Sequence, residues 1–427
     1  MKNAFTLMFA VLAAAAINAA TINQVIVRQQ WPWSTKVKVE YSLSGVDASH
    51  PVDIAVTTYN GNELLPSTHL REAIEGDLYG ITEEFGEFYI DPVIAYGTEK
   101  IGMSKFKVKL TVSDSAPEMA DVFYRIYDMS DSAQQPYPYV DVTRADLLNG
   151  KYGSYETSFS KISSGYTTSL TDVLIWTGVT NYPGAKTTKL VLRKIPAKNV
   201  TWTMGASGGN MGENATLPHN CTLTRNYFIG VFELTQEQYR RLARNSWDGS
   251  SFKGDANPVN AALLSTFRSA ITEKNAVNFA GGFELDFPTE AQWEFACRAG
   301  TTAELYTGQY LSTANLDPIA WDSKNSGDPK AAHEVGLKLP NAFGLYDMIG
   351  NVYEGCSDNW SDTKPAGYID GAAVTDPTGS AEPDASSRLV NRGGSFEINN
   401  YFCTSAGRNK SNGGWNGCGF RVCGLAD

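Results

Sequence analysis

Histidine is scarce in this chain, and possible metal ligands are not clustered. The 427 residues include four histidines, scattered along the sequence. They are His50, His69, His219 and His333. Zinc sites are usually built from His and Cys at short, fixed spacings, and the sequence has neither such a histidine pair nor a CxxC pair. We therefore predict no zinc centre and expect each histidine to be a surface or loop residue.

Positive charge is also in short supply. The chain has 35 Lys and Arg against 46 Asp and Glu, a net charge of -11, and no long basic run. A nucleic-acid-binding surface needs clustered Lys and Arg, so this class of partner is excluded. With 42% hydrophobic residues, 39 glycines and 18 prolines, the composition is typical of a globular, loop-rich protein rather than a disordered one.

Long apolar runs are absent except at the N-terminus. Lys2 precedes an apolar run over residues 4–17, and the small residues Ala19 and Ala20 follow it. The run is too short to span a bilayer but fits the apolar core of a signal peptide. We predict a cleaved signal peptide over residues 1–20, bacterial export to the periplasm or beyond, and no membrane span.

Cysteine is missing from the first half of the chain. The six cysteines all lie in the second half: Cys221, Cys297, Cys356, Cys403, Cys418 and Cys423. Six cysteines in an exported protein predict disulfides, because oxidising compartments favour them. The sequence alone does not choose the pairing.

After the signal segment, apolar and polar residues alternate with a period of two. This pattern predicts half-buried strands. The segments that show it begin at Val37, Val52 and Phe106. Gly45 and Gly61 lie between them and supply the backbone freedom that tight turns need. We predict a small all-β, immunoglobulin-like sandwich over residues 21–116.

Residues 117–189 leave two interpretations open. Alternation returns at Val122, Tyr124 and Ile126 and again over residues 173–177, with a polar stretch between them. The segment is either a second small β unit or a long β-rich connector packed on the following domain.

Four segments in the last third of the chain form a highly specific string. They are residues 287–295 (FPTEAQWEF), 341–352 (NAFGLYDMIGNV), 391–396 (NRGGSF) and 419–422 (GFRV). In this order they resemble the signature of the formylglycine-generating enzymes, the sulfatase-modifying factor family. The resemblance extends over residues 190–427. It implies an α+β fold of the C-type-lectin-like formylglycine-generating-enzyme type, in which ordered loops outnumber regular elements.

Capping residues locate two helices within this domain. Thr235, followed by Gln238, forms the pattern of a capping box. Pro288 and Thr289 suit the entrance of a second helix, and Gly300 is expected to end it.

The resemblance also implies a calcium site in one short loop. The ligands it implies are Asp347, Gly350, Val352 and Glu354, with carboxylates at the ends and backbone carbonyls between. Hard oxygen ligands grouped in this way suit calcium. The alternative is that the two carboxylates bond to nearby backbone amides. The chain departs from the family here, because Tyr353-Glu354-Gly355 replaces the usual Trp-Glu-Trp.

The catalytic members of the family bind copper(I) through two cysteine thiolates and use oxygen to convert a substrate cysteine to formylglycine. The corresponding positions here are Ile398 and Cys403. Two soft thiolates suit copper(I), and one alone holds it much less well. Cys403 is therefore the one candidate catalytic residue, and a structural disulfide from Cys403 to Cys297 or Cys418 is the competing interpretation.

Three functional hypotheses follow. The first is an exported non-oxidase member that binds a protein, peptide or glycan, with Phe402, Trp415 and Phe420 on a shallow binding face. The second is a copper-dependent oxidase that acts on exported sulfatases through Cys403 and Cys418. The third is an iron-dependent sulfoxide synthase, which would need a histidine-rich helical domain that the sequence lacks. The missing thiol at position 398 favours the first.

Overall fold

The computed structural model describes residues 19–30, 33–98, 102, 104–156, 174–206, 215–361, 372–379 and 388–426. The chain divides into two compact units, Met1–Ala120 with Leu148–Gly150 and Asp121–Leu147 with Lys151–Asp427. The predicted signal peptide lies almost wholly outside the described residues. Within the described ranges, no helix is long and apolar enough to cross a membrane.

Most of the regular elements in the described part of the first unit are strands. Its elements are β1 (Thr21–Gln29), β2 (Val37–Ser44), β3 (Val52–Asn60), β4 (Glu63–Leu64), β5 (Ile74–Glu75), β6 (Phe85–Ile90), α1 (Pro92–Tyr96) and β7 (Phe106–Asp114). They form two antiparallel sheets, of order β1-β2-β6-β5 and β4-β3-β7.

Side-chain alternation explains why these two sheets share one core. Along β2, every second residue from Val37 is buried and the residues between are half-buried. Val39 and Phe88 from one sheet join Ile54 and Leu110 from the other in a single hydrophobic cluster. The predicted strands beginning at Val37, Val52 and Phe106 are therefore confirmed. The immunoglobulin-like topology stays a prediction.

The elements after β7 are short and separated by long loops. The strands are β8 (Val122–Asp128), β9 (Tyr139–Thr143), β10 (Lys189–Ile195), β11 (Val200–Met204), β12 (His219–Leu223), β13 (Tyr227–Gly230), β14 (Tyr353–Asn359), β15 (Val374–Thr375), β16 (Leu389–Arg392), β17 (Arg408–Ser411), β18 (Cys418–Gly419) and β19 (Cys423–Leu425). The α-helices are α2 (Arg144–Leu148), α3 (Gln236–Ala243), α4 (Leu264–Thr272), α5 (Asn275–Asn278), α6 (Glu290–Arg298) and α7 (Thr313–Leu316).

Three sheets organise the second unit. They have the orders β19-β13-β10-β8-β9, β11-β12-β15 and β17-β16-β14-β18. Short helices and ordered loops pack around them, so the fold is a strand-rich mixture with few helices.

The segment over residues 117–189 contributes directly to the five-stranded sheet. Strand β8 pairs antiparallel with β10, and β9 pairs with β8. The alternation over residues 173–177 gives only one bridge, between Glu156 and Ile175, and Val173 lies outside the described residues. The expected strand does not continue because a 3₁₀ helix begins at Thr177.

The predicted capping box at Thr235 and the predicted helix start at Thr289 are both confirmed, and Thr289 also forms a capping box. Helix α3 begins after Thr235, whose hydroxyl accepts from the backbone N–H of Gln238, and α6 begins after Thr289 in the same way. Helix α6 ends at Arg298 because the next residue, Ala299, takes a left-handed conformation with φ of 44° just before Gly300.

Candidate functional site

Helix α6 is the element around which the signature segments meet. All its side chains except that of Gln292 are buried, including the charged Glu290, Glu294 and Arg298. A buried charge is costly unless it is paired and hydrogen-bonded. The charged residues of this helix therefore require partners, either within the helix or from other segments.

An alternating chain of charges supplies these partners. Arg392 of the NRGGSF segment forms an ion pair with Glu294, and its Nε lies 3.3 Å from Oε1 of Glu290. Arg298 bonds Glu294 at 2.8 Å, and Nη2 of Arg408 donates to Glu290 at 2.8 Å. The order is Arg298, Glu294, Arg392, Glu290, Arg408, with each carboxylate between two guanidinium groups. This network fixes the glycine-rich NRGGSF segment against α6.

A second buried pair joins two other signature segments. Arg421 donates from Nη2 to Oε1 of Glu354 at 2.7 Å and from Nε to Oε2 at 2.9 Å. The indole N–H of Trp293 donates to the same Oε2 at 2.7 Å. Arg421 also donates to the carbonyls of Gly230 and Tyr346, each at 2.7 Å. The GFRV arginine is thus held entirely by the core.

Two further carboxylates lie close to this pair. Glu233 accepts from the side chain of Asn351 at 2.6 Å and from the backbone N–H of Val352 at 2.9 Å. Asp347 accepts from the N–H of Gly336 at 2.6 Å through Oδ2, whereas its Oδ1 is buried and has no hydrogen-bond partner among the described residues. Burial raises the pKa of Asp347 to about 6. Burial, with the charge of Asp347 next, raises the pKa of Glu233 well above its usual value.

Of the four calcium ligands implied by the sequence, Asp347, Gly350 and Val352 lie in one tight loop, and Glu354 lies in strand β14, which follows it. Asp347 and Gly350 have φ of 55° and 84°, and a Cβ on Gly350 would lie 2.5 Å from the carbonyl oxygen of Trp321. Oδ1 of Asp347 is a hard oxygen that lacks a partner, which fits a cation. Both oxygens of Glu354 are occupied by Arg421 and Trp293, which fits a cation less well. In the part of the chain that the structure describes, no three His, Cys, Asp or Glu side chains are arranged to hold a metal.

The alternative interpretation was that the carboxylates of Asp347 and Glu354 bond to nearby backbone amides. It applies to Asp347 but not to Glu354. Asp347 does bond to a backbone amide, that of Gly336. The described partners of the Glu354 carboxylate are side chains, those of Arg421 and Trp293.

Cys403 lies in the core directly beneath the glycine-rich segment. Its side chain is fully buried, and a Cβ on Gly394 would lie 2.6 Å from its sulfur. Burial, followed by the charge of Asp322, raises the pKa of the Cys403 thiol above its usual value. Ile398, at the other copper position, bonds through its backbone to Ser395 and Ser323. The two positions therefore supply one buried thiol, whereas the oxidase chemistry needs two thiolates.

All six cysteines are free thiols and buried, which corrects the disulfide prediction. In particular, neither the Cys403–Cys297 nor the Cys403–Cys418 bond is present. The sulfur of Cys297 lies 3.7 Å from the hydroxyl of Ser405, and that of Cys418 accepts from the side-chain amide of Asn391 at 3.3 Å. Burial raises the pKa of each of these two thiols to about 12. Disulfide formation proceeds through a thiolate, so such burial disfavours it.

The aromatic residues proposed for a binding face occupy different environments. Phe420 is fully buried and packs on Phe267 and Phe287, with ring centroids 5.0 and 4.8 Å apart, so its assignment to a surface was wrong. Phe402 and Trp415 are half-buried, and both rings lie against Tyr353.

Sequence reasoning missed the partners of these site residues. The signal was available, because Glu294, Arg392 and Arg421 are charged residues inside otherwise apolar signature segments. Charged residues in such positions are either exposed or paired, and the sequence does not say with which residue.

Comparison with known proteins gives a consistent assignment. Residues 196–424 match the family described as "Sulfatase-modifying factor enzyme 1-like domain". The chain is 29% identical over 141 residues to the formylglycine-generating enzyme of Thermomonospora curvata, covering 31% of this chain and 45% of that enzyme. It is 29% identical over 126 residues to the Mus musculus enzyme, covering 27% of this chain and 31% of the relative. It is 25% identical over 210 residues to the Paenibacillus barcinonensis chaperone protein LppX, covering 35% and 71%.

Two solved structures are also similar. Treponema denticola variable protein 1 has a TM-score of 0.46 and 24% identity, covering 56% of this chain and 96% of that one. PvdO from Pseudomonas aeruginosa has a TM-score of 0.43 and 20% identity, covering 56% and 95%. The chain spans less than half the length of either formylglycine-generating enzyme named above. Through residues 196–424, the chain belongs to the sulfatase-modifying factor family.

Proposed function

We propose that this protein is an exported, non-oxidase member of the family that binds a protein, peptide or glycan through a C-type-lectin-like domain. Its N-terminal immunoglobulin-like module would present that domain in the periplasm or outside the cell. One observation carries the proposal: the position of the first copper thiolate is Ile398, so the buried Cys403 is the one thiol at the two copper positions. Copper(I) prefers two soft thiolates, and this site offers at most one.

The oxidase remains the second candidate, because Cys403 itself is retained. It would need copper(I), oxygen and a second thiolate, for which Cys418 is the nearest candidate in sequence. The sulfur of Cys418 is engaged by Asn391, and burial raises its pKa to about 12. Both thiols would have to lose a proton inside an apolar core before they could bind the metal. Exported sulfatases would be the substrates in that case.

An activity assay with thiol counting separates the two candidates. We expect no aldehyde when the protein, copper(I), oxygen and a reductant are incubated with a Cys-x-Pro-x-Arg peptide and the peptide mass is followed. The Thermomonospora curvata enzyme is the positive control. We also expect no thiol to react in the native protein and all six to react after denaturation. Aldehyde formation that Cys403→Ser abolishes would establish the oxidase instead.

Calcium is proposed as a structural ion at Asp347, Gly350, Val352 and Glu354. The support is the unpartnered Oδ1 of Asp347 within a loop that also offers backbone carbonyls. Calcium bound there would supply a positive charge next to a buried carboxylate. It would fix the conformation of the loop that carries Asp347, Gly350 and Val352, which has no regular secondary structure.

Asp347→Asn is the variant that tests the calcium site. Asparagine keeps an oxygen that can accept from Gly336 but loses the carboxylate charge. A saturating ion adds about 2–3 kcal/mol, so we expect calcium to raise the Tm of the wild type by roughly 5 °C and that of the variant by much less. The measurement is thermal unfolding in calcium and in chelator. Glu354 is a poorer test, because its removal also breaks the pair with Arg421. Equal calcium effects in the two proteins would exclude the site.

A further inference from the structure

One face of the five-stranded sheet carries an open groove of about 830 Å³. Residues from β8, β9, β10, β13 and β19 line it, together with the segment over residues 281–287. Its volume lies within the usual range of ligand sites, about 300–1,000 Å³. Strands β8, β9 and β10 all precede residues 196–424, so the groove depends on sequence outside the matched family domain. It is lined neither by Cys403 nor by the loop that carries Asp347.

The middle of the groove is a rigid, charge-balanced platform. Arg125 forms two hydrogen bonds to Asp141, at 2.7 and 2.9 Å. Its guanidinium group also lies over the rings of Tyr139 and Phe228, 4.3 and 4.8 Å from their centroids. A guanidinium that is both paired and stacked has little freedom and no unsatisfied charge. This part of the groove therefore offers aromatic surface in a fixed position.

Two cations beside this platform are not balanced. Lys194 is half-buried and Arg225 is exposed, and neither has an ion-pair partner among the described residues. Lys194 lies directly across from Phe228 in the sheet. In a chain whose net charge is -11, two cations without ion-pair partners that line one groove form a local exception. They would attract a carboxylate.

The acidic residues of the groove do not neutralise these cations. Asp286 is taken by Arg268 through two bonds of 2.7 Å. Glu284 is exposed and lies beyond β19, next to Gly424. Gly424 faces Phe228, and Phe228 faces Lys194, so strands β13 and β19 separate Glu284 from Lys194. At about 4.8 Å between neighbouring strands, three spacings make this separation roughly 14 Å.

From this arrangement we propose that the groove binds a short, extended, acidic peptide segment. Its carboxylate would contact Lys194 and Arg225, and its apolar side chains would pack on Tyr139 and Leu425, which line the groove and are exposed. Five strands span about 19 Å, the length of roughly six extended residues, which is too long for a single small anion to fill. The inference rests on the proposed binding function and names the ligand class. The protein's own acidity would keep such a ligand away from other surfaces.

Peptide binding to the full mature chain tests the inference. The probe is a fluorescein-labelled octapeptide of Glu, Leu and Gly without cysteine, compared with versions in which Gln or Lys replaces Glu. Fluorescence anisotropy should show binding of the Glu peptide only. Lys194→Gln combined with Arg225→Gln should weaken it at least tenfold. Lys330→Gln, an exposed site outside the groove with the same change of charge, should leave it unchanged.

Each contrary result has a definite meaning. Absence of binding, equal binding of the Gln peptide, or an unaffected double variant would overturn the groove assignment. Circular dichroism of the variants would confirm that they fold, because both substitutions are at side chains that are not fully buried. Aldehyde formation in the separate assay would overturn the non-oxidase proposal without affecting this result. Failure of peptide binding with no aldehyde would overturn the groove alone.

Discussion

Replacing Arg421 with leucine is expected to lower the free energy of unfolding by roughly 3–5 kcal/mol, as measured by urea denaturation in chelator. Arg421 is fully buried and forms a two-bond pair with Glu354. Without it, the Glu354 carboxylate keeps only Trp293 as a described partner. A buried carboxylate left in this way is far more costly than the pair itself is favourable.

The same change should be more destabilising at pH 8 than at pH 5. The positive charge of Arg421 lowers the pKa values of Glu233 and Asp347. Burial raises the same two pKa values, and its effect is the larger one. Without Arg421 the folded-state pKa of each carboxyl rises again, so stability is lost as pH increases through that range. At pH 8 Glu233 and Asp347 ionise freely in the unfolded chain. In the folded state each must either keep a proton or carry a buried charge, and both alternatives cost stability.

A double variant provides the matched control. Arg421→Leu with Glu354→Leu removes both charges, and replacing a complete buried pair by apolar residues is often nearly neutral. We therefore expect the double variant to be more stable than Arg421→Leu alone. Two results would contradict this role of the pair. One is a urea midpoint of Arg421→Leu equal to that of the wild type, and the other is a double variant that is less stable than Arg421→Leu.

Local patterns were sufficient to predict several elements of the fold. The alternation at Val37 gives a strand whose residues alternate in burial along its whole length. Thr235 and Thr289 begin helices because their hydroxyls satisfy N–H groups that would otherwise be unpaired. These predictions succeed because each depends on interactions between residues close in sequence.

The candidate site could be predicted only in part. The signature segments identified the family, but the spacing of residues does not reveal that Glu294 lies between Arg298 and Arg392. The contact with Arg392 joins segments almost a hundred residues apart, whereas Arg298 lies four residues after Glu294 on the same helix. The disulfide prediction was wrong for a related reason: it rested on the expected compartment, whereas pairing depends on which cysteines the fold brings together, and all six are free and buried.

Arg392 and Arg421, the arginines of the NRGGSF and GFRV segments, stabilise the core and do not line an open pocket. Each is fully buried and bonds to carboxylates from other segments. Their contacts do not involve Cys403 or the position of Ile398. The structure therefore accounts for these two arginines by folding alone, whatever reaction or ligand the domain has.

Asp358→Asn is expected to make the protein more stable than the wild type at pH 8, with the gain disappearing towards pH 4. Asp358 accepts from the backbone N–H of Glu290 at 2.8 Å, at the start of α6. Burial, followed by the charge of Glu290, raises the pKa of Asp358 to about 7 from a usual value of 3.8. Between these values the folded state keeps a proton that the unfolded state releases, so stability falls as pH rises. Raising this pKa by about three lowers the free energy of unfolding by roughly 4 kcal/mol, and the full loss applies above pH 7.

Asparagine cannot ionise but can still accept the bond from Glu290, so the variant should lose this pH dependence and keep the cap. The measurement is urea denaturation at pH 5, 6, 7 and 8 for wild type, Asp358→Asn and Glu273→Gln, an exposed carboxyl that serves as control. The wild-type and Glu273→Gln stabilities should fall together with increasing pH, while that of Asp358→Asn stays flatter. Parallel curves for all three would mean that Asp358 is ionised throughout this range. In that case the neighbouring Arg408, whose charge lowers the pKa of Asp358, would outweigh the effect of burial.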